Sequence, residues 1–479
     1  MALRYCRLVL VFFVLAALAG CAGTTHRVSK SKLDEEIKYP DAFSFSGTGA
    51  VYDGKWWEVF GISELNILME QMLENNKEIA GSYEGLKALQ AALGISTADR
   101  MPSLSLETSA GDTYSTTGGS REWRDSYDIS LTASYEVDIW GRIRSAVESD
   151  RMALLSGRFD TESLYMTLTA EFADRYFLYK SLASVLKMQE EILTLRQKQV
   201  KVLEMTYTSG IGSLDSIYTK QTTIAVLLED ISETKQSMLE AKYQMALLLG
   251  EADAGSVKIS DSYNLAIPDL PEIIPGNIAE KRPDIRSAYA SVLQINSDVA
   301  QAMANRYPKL SFSASAGYSG DEISSLITPE NFVTKLIANL TAPIFDAGNL
   351  KNQQLRQEYL LKQEIQNYYQ AVLEGLKEVS DSLADNMQNE QALKLSQKKV
   401  GIEENRLRIA EMKYKSGIED YSTVLDNKIS LLSGWITEVN ARRSLISSRV
   451  ELARASGGSW ADGLVDERLA GLPDLQETR

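Results

Sequence analysis

Residues able to do covalent or acid–base chemistry are few in this chain. Its 479 residues include two cysteines, Cys6 and Cys21, and one histidine, His26. Aspartates and glutamates are numerous but scattered along helical patterns, as on solvated faces, and no glycine-rich loop of the phosphate-cradling kind appears. Nothing here asks for an enzyme, a cofactor or a metal. The one reactive group in a distinctive setting is the thiol of Cys21.

Arg4 and Arg7 precede an apolar run from Leu8 to Leu18, followed by Leu18-Ala19-Gly20-Cys21. The run is too short to span a bilayer as a helix and reads as a signal h-region. Small residues before the cysteine resemble a bacterial lipobox, which makes Cys21 the acylated first residue of the mature chain, carrying palmitate-type chains. Ordinary signal cleavage after Ala17-Leu18-Ala19 is the alternative, leaving Cys21 an incidental thiol. Several acyl chains anchor firmly, because each buried CH₂ contributes about 0.8 kcal/mol. Ala22 replaces the aspartate that in many bacteria retains lipoproteins at the inner membrane. Cys6 leaves with the signal, so no intramolecular disulfide is possible. The chain holds 50 Lys+Arg against 65 Asp+Glu, or 48 against 65 (net −17) once residues 1–20 are removed. Nucleic acid needs concentrated positive charge and is not an expected partner.

The elements that must position anything else are very long helices. From Gly141 to Ile211 there is no proline, and the one internal glycine before the turn at Gly210 is Gly157. As one helix this stretch is roughly 100 Å long at 1.5 Å per residue. Leu186, Leu193, Val200 and Tyr207 lie in sevens, and Leu393, Val400, Leu407 and Tyr414 repeat them 207 positions later. Such a seam keeps one face against a partner helix. The turn YTSGI at 207–211 returns as YKSGI at 414–418. The chain is a tandem duplication of one long helical unit.

In order, 1–20 is the signal and 21–62 a polar, extended strap. Residues 22–55 alone reach up to roughly 110 Å at about 3.3 Å each; a disordered tether has the same composition. Trp56, Trp57 and Phe60 mark where the strap docks. The first repeat, 63–249, opens with one helix from Ser63 to about Asp99. Two alternating runs follow, 103–112 and 127–139, with the polar loop TYSTTGGSREWRD between them. In the second run Tyr127, Ile129, Leu131, Ala133, Tyr135, Val137 and Ile139 alternate with polar residues. Period two over this length fits a tilted membrane strand, and equally a half-buried strand of a soluble sheet. The long helix, the Ser-Gly-Ile-Gly turn and a return helix from about Leu214 to Leu249 complete the repeat. A proline-containing linker, 250–277, separates it from the second repeat, 278–456. There Ile285, Tyr289, Arg306, Pro308 and Gly317 echo Ile79, Tyr83, Arg100, Pro102 and Gly111 at an offset of 206. Its strands are 310–318 and a poorer one at 332–340, its long helix runs from about Asn349 to Lys415, and its return helix ends near Ala455. A short polar tail, 457–479, follows.

Four strands per chain cannot close a barrel, and open edges in lipid leave N–H and C=O groups unsatisfied. Membrane strands here require an oligomer: a dimer gives eight, a trimer twelve, a tetramer sixteen. Physics alone does not choose.

Trp56-Trp57-x-x-Phe60 with Leu65 and Asn76, then Arg282-Pro283-Asp284-Ile285, Tyr307-Pro308-x-Leu310-Ser311, Pro343-Ile344-Phe345-Asp346 and Gly457-Gly458-x-Trp460 resemble the TolC-like outer-membrane efflux family, in its lipidated, drug-exporting branch. The resemblance covers nearly the whole mature chain, duplication included. It implies a mainly α chain with a membrane β-barrel: a homotrimer closing twelve strands in the outer membrane of a Gram-negative bacterium, continued by an antiparallel coiled-coil α-barrel through the periplasm. It also implies a passive exit duct for small molecules, with a periplasmic adaptor and an inner-membrane pump of the resistance-nodulation-division type as partners, and outer-membrane lipid around the barrel. The adaptor would meet the tips Ser209, Gly210, Ile211, Gly212 and Ser416, Gly417, Ile418, Glu419, which as helix reversals need their glycines in any case. The family's mouth commonly carries two acidic positions three residues apart; here they are Thr423 and Asp426, so a gate built from Asp426, Thr423 and Tyr414 keeps one acidic ring. Asp426 also reads as a solvated tip residue, and Tyr207 and Tyr414 as packing at the ends of their seams. Arg282-Pro283-Asp284 reads as the start of a helix, without chemistry. Two further functions fit parts of the pattern. Protein secretion with an ABC exporter uses the same architecture, and a non-conducting coiled-coil scaffold lipoprotein explains Cys21 and the heptads but not the strands.

Overall fold

A computed structural model describes residues 54–117, 120–260, 281–457 and 460–469, with isolated pieces at 28, 33, 42–44, 267–268 and 273–275. Cys21 and most of the strap and linker lie outside these residues. The main elements are β1 (Ala42–Ser44), a 3-10 turn at Trp56–Phe60, α1 (Ser63–Asn75), α2 (Lys77–Ala98), β2 (Ser103–Thr117), β3 (Ser120–Val137), α3 (Arg142–Thr208) and α4 (Leu214–Leu248). After these come β4 (Ile273–Pro275), α5 (Pro283–Ala304), β5 (Lys309–Gly320), β6 (Phe332–Thr341), α6 (Asn349–Lys415), α7 (Tyr421–Ala455) and α8 (Trp460–Leu469). Both long helices have 67 residues and both return helices 35.

The chain divides into two compact units. One contains the four-stranded antiparallel sheet, in the order β2-β3-β5-β6, with the outer edges of β2 and β6 unpaired among the described residues. Each strand pair is followed by a capping aspartate. The Asp138 carboxylate accepts from the N–H groups of Ile143 and Arg144 at the start of α3, and Asp346 accepts from Gly348 and Leu350 at the start of α6. Gly141 and Gly348 supply the positive φ (79° and 82°) at the two strand-to-helix corners.

The other unit holds the coiled-coil hairpins and the junctions between short helices. At its centre Trp57 is fully buried, edge-on to Trp460 at 5.0 Å, while Phe60 meets Phe177 at 4.8 Å. Near the tips, Ile192 and Leu195 of α3, Leu227 and Ile231 of α4 and Leu425, Ile429 and Leu432 of α7 form one cluster.

Four expectations are corrected. The first helix is two, broken at Asn76, whose backbone is extended (φ −60°, ψ 131°). Asn76 is buried and is consumed by the break: its Oδ1 accepts from Glu78 and Ile79 N–H at 2.9 and 3.0 Å, and its Nδ2 donates to the Leu248 carbonyl at 2.8 Å. The polar loop after 112 is mostly strand. β2 and β3 pair continuously from Ser103↔Ser134 to Thr117↔Ser120, and the Tyr114 and Trp123 rings meet at 5.1 Å. The C-terminal tail contains a packed helix, α8, with Ala461 and Val465 fully buried and Arg468 donating to the Leu73 carbonyl. Finally, the first part of the buried row in α3 lies one residue before the expected heptad: Val185, Ile192 and Gln199 are inside and Leu186 and Leu193 half-buried, while Val200 of the expected row is buried. α3 packs against α4 and α7 together, so its buried face centres between the two. In α6 the row Val379, Asn386, Leu393, Val400 does follow the sevens.

Candidate functional site

Two regions stand apart from the packed core. The first is the sheet. Its registers align the apolar alternation of all four strands on one face: Leu106 lies opposite Leu131, Leu131 opposite Ala316, Tyr135 opposite Phe312, Phe312 opposite Ala338 and Leu310 opposite Leu340. No element among the described residues covers that face. Leu104, Leu106, Leu336 and Leu340 are 69%, 65%, 82% and 61% exposed. The opposite face carries Ser105, Ser130, Thr132, Ser134, Ser311, Ser313 and Ser315, and along β5 these serines are the less exposed set. A soluble sheet shows the reverse. No helix among the described residues is long and apolar enough to cross a membrane, which leaves the strands as the segments with that surface.

The second region is the pair of hairpin tips. After α3, Gly210 (φ 80°) reverses the chain, with the Ile211 and Gly212 N–H groups both donating to the Thr206 carbonyl. After α6, Gly417 (φ 70°) does the same, and the Ile418 N–H donates to the Lys413 carbonyl at 2.9 Å. This is the left-handed helix end that glycine fits without strain. Ser209 and Ser416 each bond back to a carbonyl four residues earlier. A Cβ on Gly212 would meet the backbone of Tyr207 at 2.7 Å, whereas its counterpart Glu419 is accommodated and receives a hydrogen bond from Lys413. Ile211 and Ile418 project outward at 85% and 72% exposure, one apolar side chain on each tip.

Just behind the second tip are the three expected gate residues. Thr423 is engaged locally: its N–H and hydroxyl both donate to the Asp420 carboxylate, which caps α7. Tyr414 lies 5.3 Å from the Tyr421 ring and is 45% exposed, as is Tyr207. Neither tyrosine is core, correcting the expectation of packing; beyond Val200 in α3, and beyond Ala410 in α6, no buried position follows. Asp426 does not stand alone. One of its oxygens accepts from Gln199 Nε2 on α3 at 2.7 Å and from Lys220 Nζ on α4 at 3.2 Å. It therefore ties the second hairpin to both helices of the first, and Lys220 offsets its charge. Gln199 is fully buried and its Oε1 has no partner.

Sequence reasoning missed Gln199 and Lys220. Gln199 carried a signal: it occupies the same heptad position as Val185 and Ile192, a polar residue in an apolar row. Lys220 carried none, because its meeting with Asp426 depends on how the two hairpins pack.

The outer membrane efflux protein family model matches residues 68–251 and again 274–458, more than three-quarters of the chain. The chain belongs to the outer membrane efflux protein family. As an outer membrane efflux protein it is 25% identical to the solvent efflux pump outer membrane protein SrpC of Pseudomonas putida, over 94% of its own length and 98% of SrpC. It is equally 25% identical to the cation efflux system protein CusC of Escherichia coli K12, over 95% and 99%. Its fold matches the Campylobacter jejuni CmeC outer membrane channel with a TM-score of 0.82 at 17% identity, covering 95% of this chain and 99% of CmeC. The outer-membrane channel OprN matches with a TM-score of 0.80 at 23% identity, over 89% and 98%. The double match of one family model falls on the two halves between which the offsets of 206 and 207 run.

Proposed function

We propose that this outer membrane efflux protein acts as a homotrimer, its twelve strands closing a barrel in the outer membrane and its long helices forming a periplasmic tunnel. The carrying observation is the sheet: among the described residues, an uncovered apolar face, a serine-lined reverse face and two unpaired edges. In lipid an edge must be paired, and copies of the same chain supply the missing strands. The duct is passive and no enzyme chemistry is assigned to it. Drive and selection belong to an inner-membrane pump, of the resistance-nodulation-division type, joined through a periplasmic adaptor. The adaptor meets Ser209–Gly212 and Ser416–Glu419, where Ile211 and Ile418 offer apolar contacts. Acylated Cys21 adds a lipid anchor. Relatives similar to the same degree are named for solvent, cation and pyoverdine export; unlike cargo at like similarity favours a small-molecule duct whose specificity lies elsewhere. Asp426, with Tyr414 and Thr423 nearby, sets the periplasmic mouth.

The test is single-channel conductance of the purified oligomer in planar bilayers. Conductance supports the duct. Protein that inserts yet stays silent, both as wild type and after the Asp426 brace is removed, is a scaffold.

A further inference from the structure

The barrel proposed above has a seam that the single chain does not contain, between β6 of one protomer and β2 of the next. Duplication fixes the register of that seam. In the chain, β3 ends the first repeat's strand pair and β5 begins the second's, and they pair with Leu131 opposite Ala316 and Ala133 opposite Ala314. The seam joins the same two kinds of strand, the end of one pair and the beginning of the next.

The offsets that map one repeat on the other are measurable. Pro102 and Gly111 correspond to Pro308 and Gly317, so β2 maps on β5 at 206. The corner glycines Gly141 and Gly348 share φ values of 79° and 82°, so β3 maps on β6 at 207. The hairpin registers agree independently: Ser103↔Ser134 in the first repeat becomes Lys309↔Thr341 in the second. A closed barrel has one strand tilt and one stagger, so six such hairpins close evenly only when every seam repeats the β3–β5 step.

We infer that β6 pairs antiparallel with β2 of the next protomer in the register that places Ala338 opposite Ala110, with Leu340 opposite Thr108 and Thr334 opposite Tyr114. This rests on the closed-barrel reading. In this register all ten residues of β6 fall on Glu107–Thr116, inside the span of β2. Apolar Phe332, Leu336, Ala338 and Leu340 continue the face that carries Leu106 and Ala110. A slip of one residue would turn that whole set inward. The single charge of β6, Lys335, falls opposite Thr113, so no like charges oppose each other.

Disulfide capture reads the register directly. Within one chain β2 and β6 are separated by β3 and β5, about 14 Å at roughly 4.8 Å per step, beyond the reach of about 7 Å between Cα atoms. Any disulfide joining positions 110 and 338 is therefore between protomers. The full-length double variant Ala110→Cys/Ala338→Cys, oxidised in membranes and run boiled without reductant, is expected to give a ladder up to covalent trimer. Ala110→Cys/Leu336→Cys and Ala110→Cys/Leu340→Cys, shifted by two residues or roughly 7 Å, should cross-link on the order of tenfold less. Single variants control for Cys21. A ladder from a shifted pair instead overturns the register and leaves barrel closure standing. No ladder from any pair, in protein that conducts, removes the β2–β6 seam. No ladder in protein that also fails to conduct removes the closed-barrel reading itself.

Discussion

Removing Asp426 should loosen the mouth through an unsatisfied amide more than through a lost charge. The carboxylate serves two donors from the first hairpin, Gln199 and Lys220. The Lys220 side chain is 28% and the Asp426 side chain 55% exposed, so their ion pair falls in the class worth about 0–1 kcal/mol after solvent screening. Gln199 is fully buried with its oxygen already unpartnered. Asp426→Ala leaves its Nε2 without an acceptor as well, at a cost of about 1–3 kcal/mol per chain. That cost falls on the arrangement in which the hairpins are tied, shifting each chain toward separation roughly 5- to 150-fold. In planar bilayers Asp426→Ala should raise mean conductance or open time strongly, and Lys220→Ala weakly. Because each tied pair is neutral, Lys220→Ala should make the mouth more cation-selective. Replacing both hydrogen-bond partners by apolar groups is close to neutral, so Gln199→Leu/Asp426→Ala should leak less than Asp426→Ala alone. If Lys220→Ala matches Asp426→Ala, or the double variant leaks as the sum of the two single changes, the amide argument is wrong.

Asn76→Ala removes a helix cap worth about 0.5–2 kcal/mol and the donor to a buried carbonyl worth about 1–3 kcal/mol; Asn76→Asp keeps only the cap and should fall between wild type and alanine in denaturant unfolding followed by circular dichroism. Glu64 supplies a pH dependence: burial pushes its pKa up, but hydrogen bonds from Lys180, the Ser260 N–H and Tyr176, with the Lys180 charge, bring it below the ordinary 4.5. Its stabilisation is thus present above that value and lost as pH falls through the lower folded-state pKa, so thermal unfolding between pH 3 and 6, on the order of those values, should be flatter for Glu64→Gln than for wild type. Gly317→Ala should sharply reduce heat-resistant oligomer on gels, because a Cβ there overlaps the Ile129 carbonyl and Ser130, whereas Gly111→Ala meets only Ser126 Oγ at 3.7 Å and should be tolerated.

The long helices were legible almost to the residue, because proline-free heptad sequence bounded by glycine has no competing local structure. Asn349–Lys415 stands where the pattern put it. The strands were legible as alternation, but their lengths were not: the segment 113–117 looks like loop by composition and becomes strand because β3 continues beside it. The break at Asn76 was hidden for a similar reason. Apolar periodicity runs through it, and only the tertiary partner, the end of α4, shows why the helix must stop. Behind the second tip, Asp426 was visible as an acid at a position the family resemblance marks. Its meaning changed once Lys220 and Gln199 were found beside it, and such a meeting between hairpins leaves no mark in sequence spacing.

The two junctions keep one geometry with different chemistry. Asn76 and Arg282 are equivalent at the offset of 206, and each precedes a short helix. Asn76 donates to the Leu248 carbonyl and Arg282 to the Ala455 carbonyl at 3.1 Å, in both cases at the end of the return helix of that repeat. Gly250 and Gly457, each at positive φ, follow those helices and lie close against the same junctions, the first over Asn75 and the second over Arg282. In the first repeat one neutral amide caps and donates. In the second the tasks are divided: Pro283 opens the helix, Asp284 accepts from the Ile285 N–H, and the Arg282 guanidinium spans Asp284 and Glu378. The requirement common to both is a side-chain donor at the end of a return helix. Arg282-Pro283-Asp284 thus holds a junction between the short helix it opens and the end of the return helix.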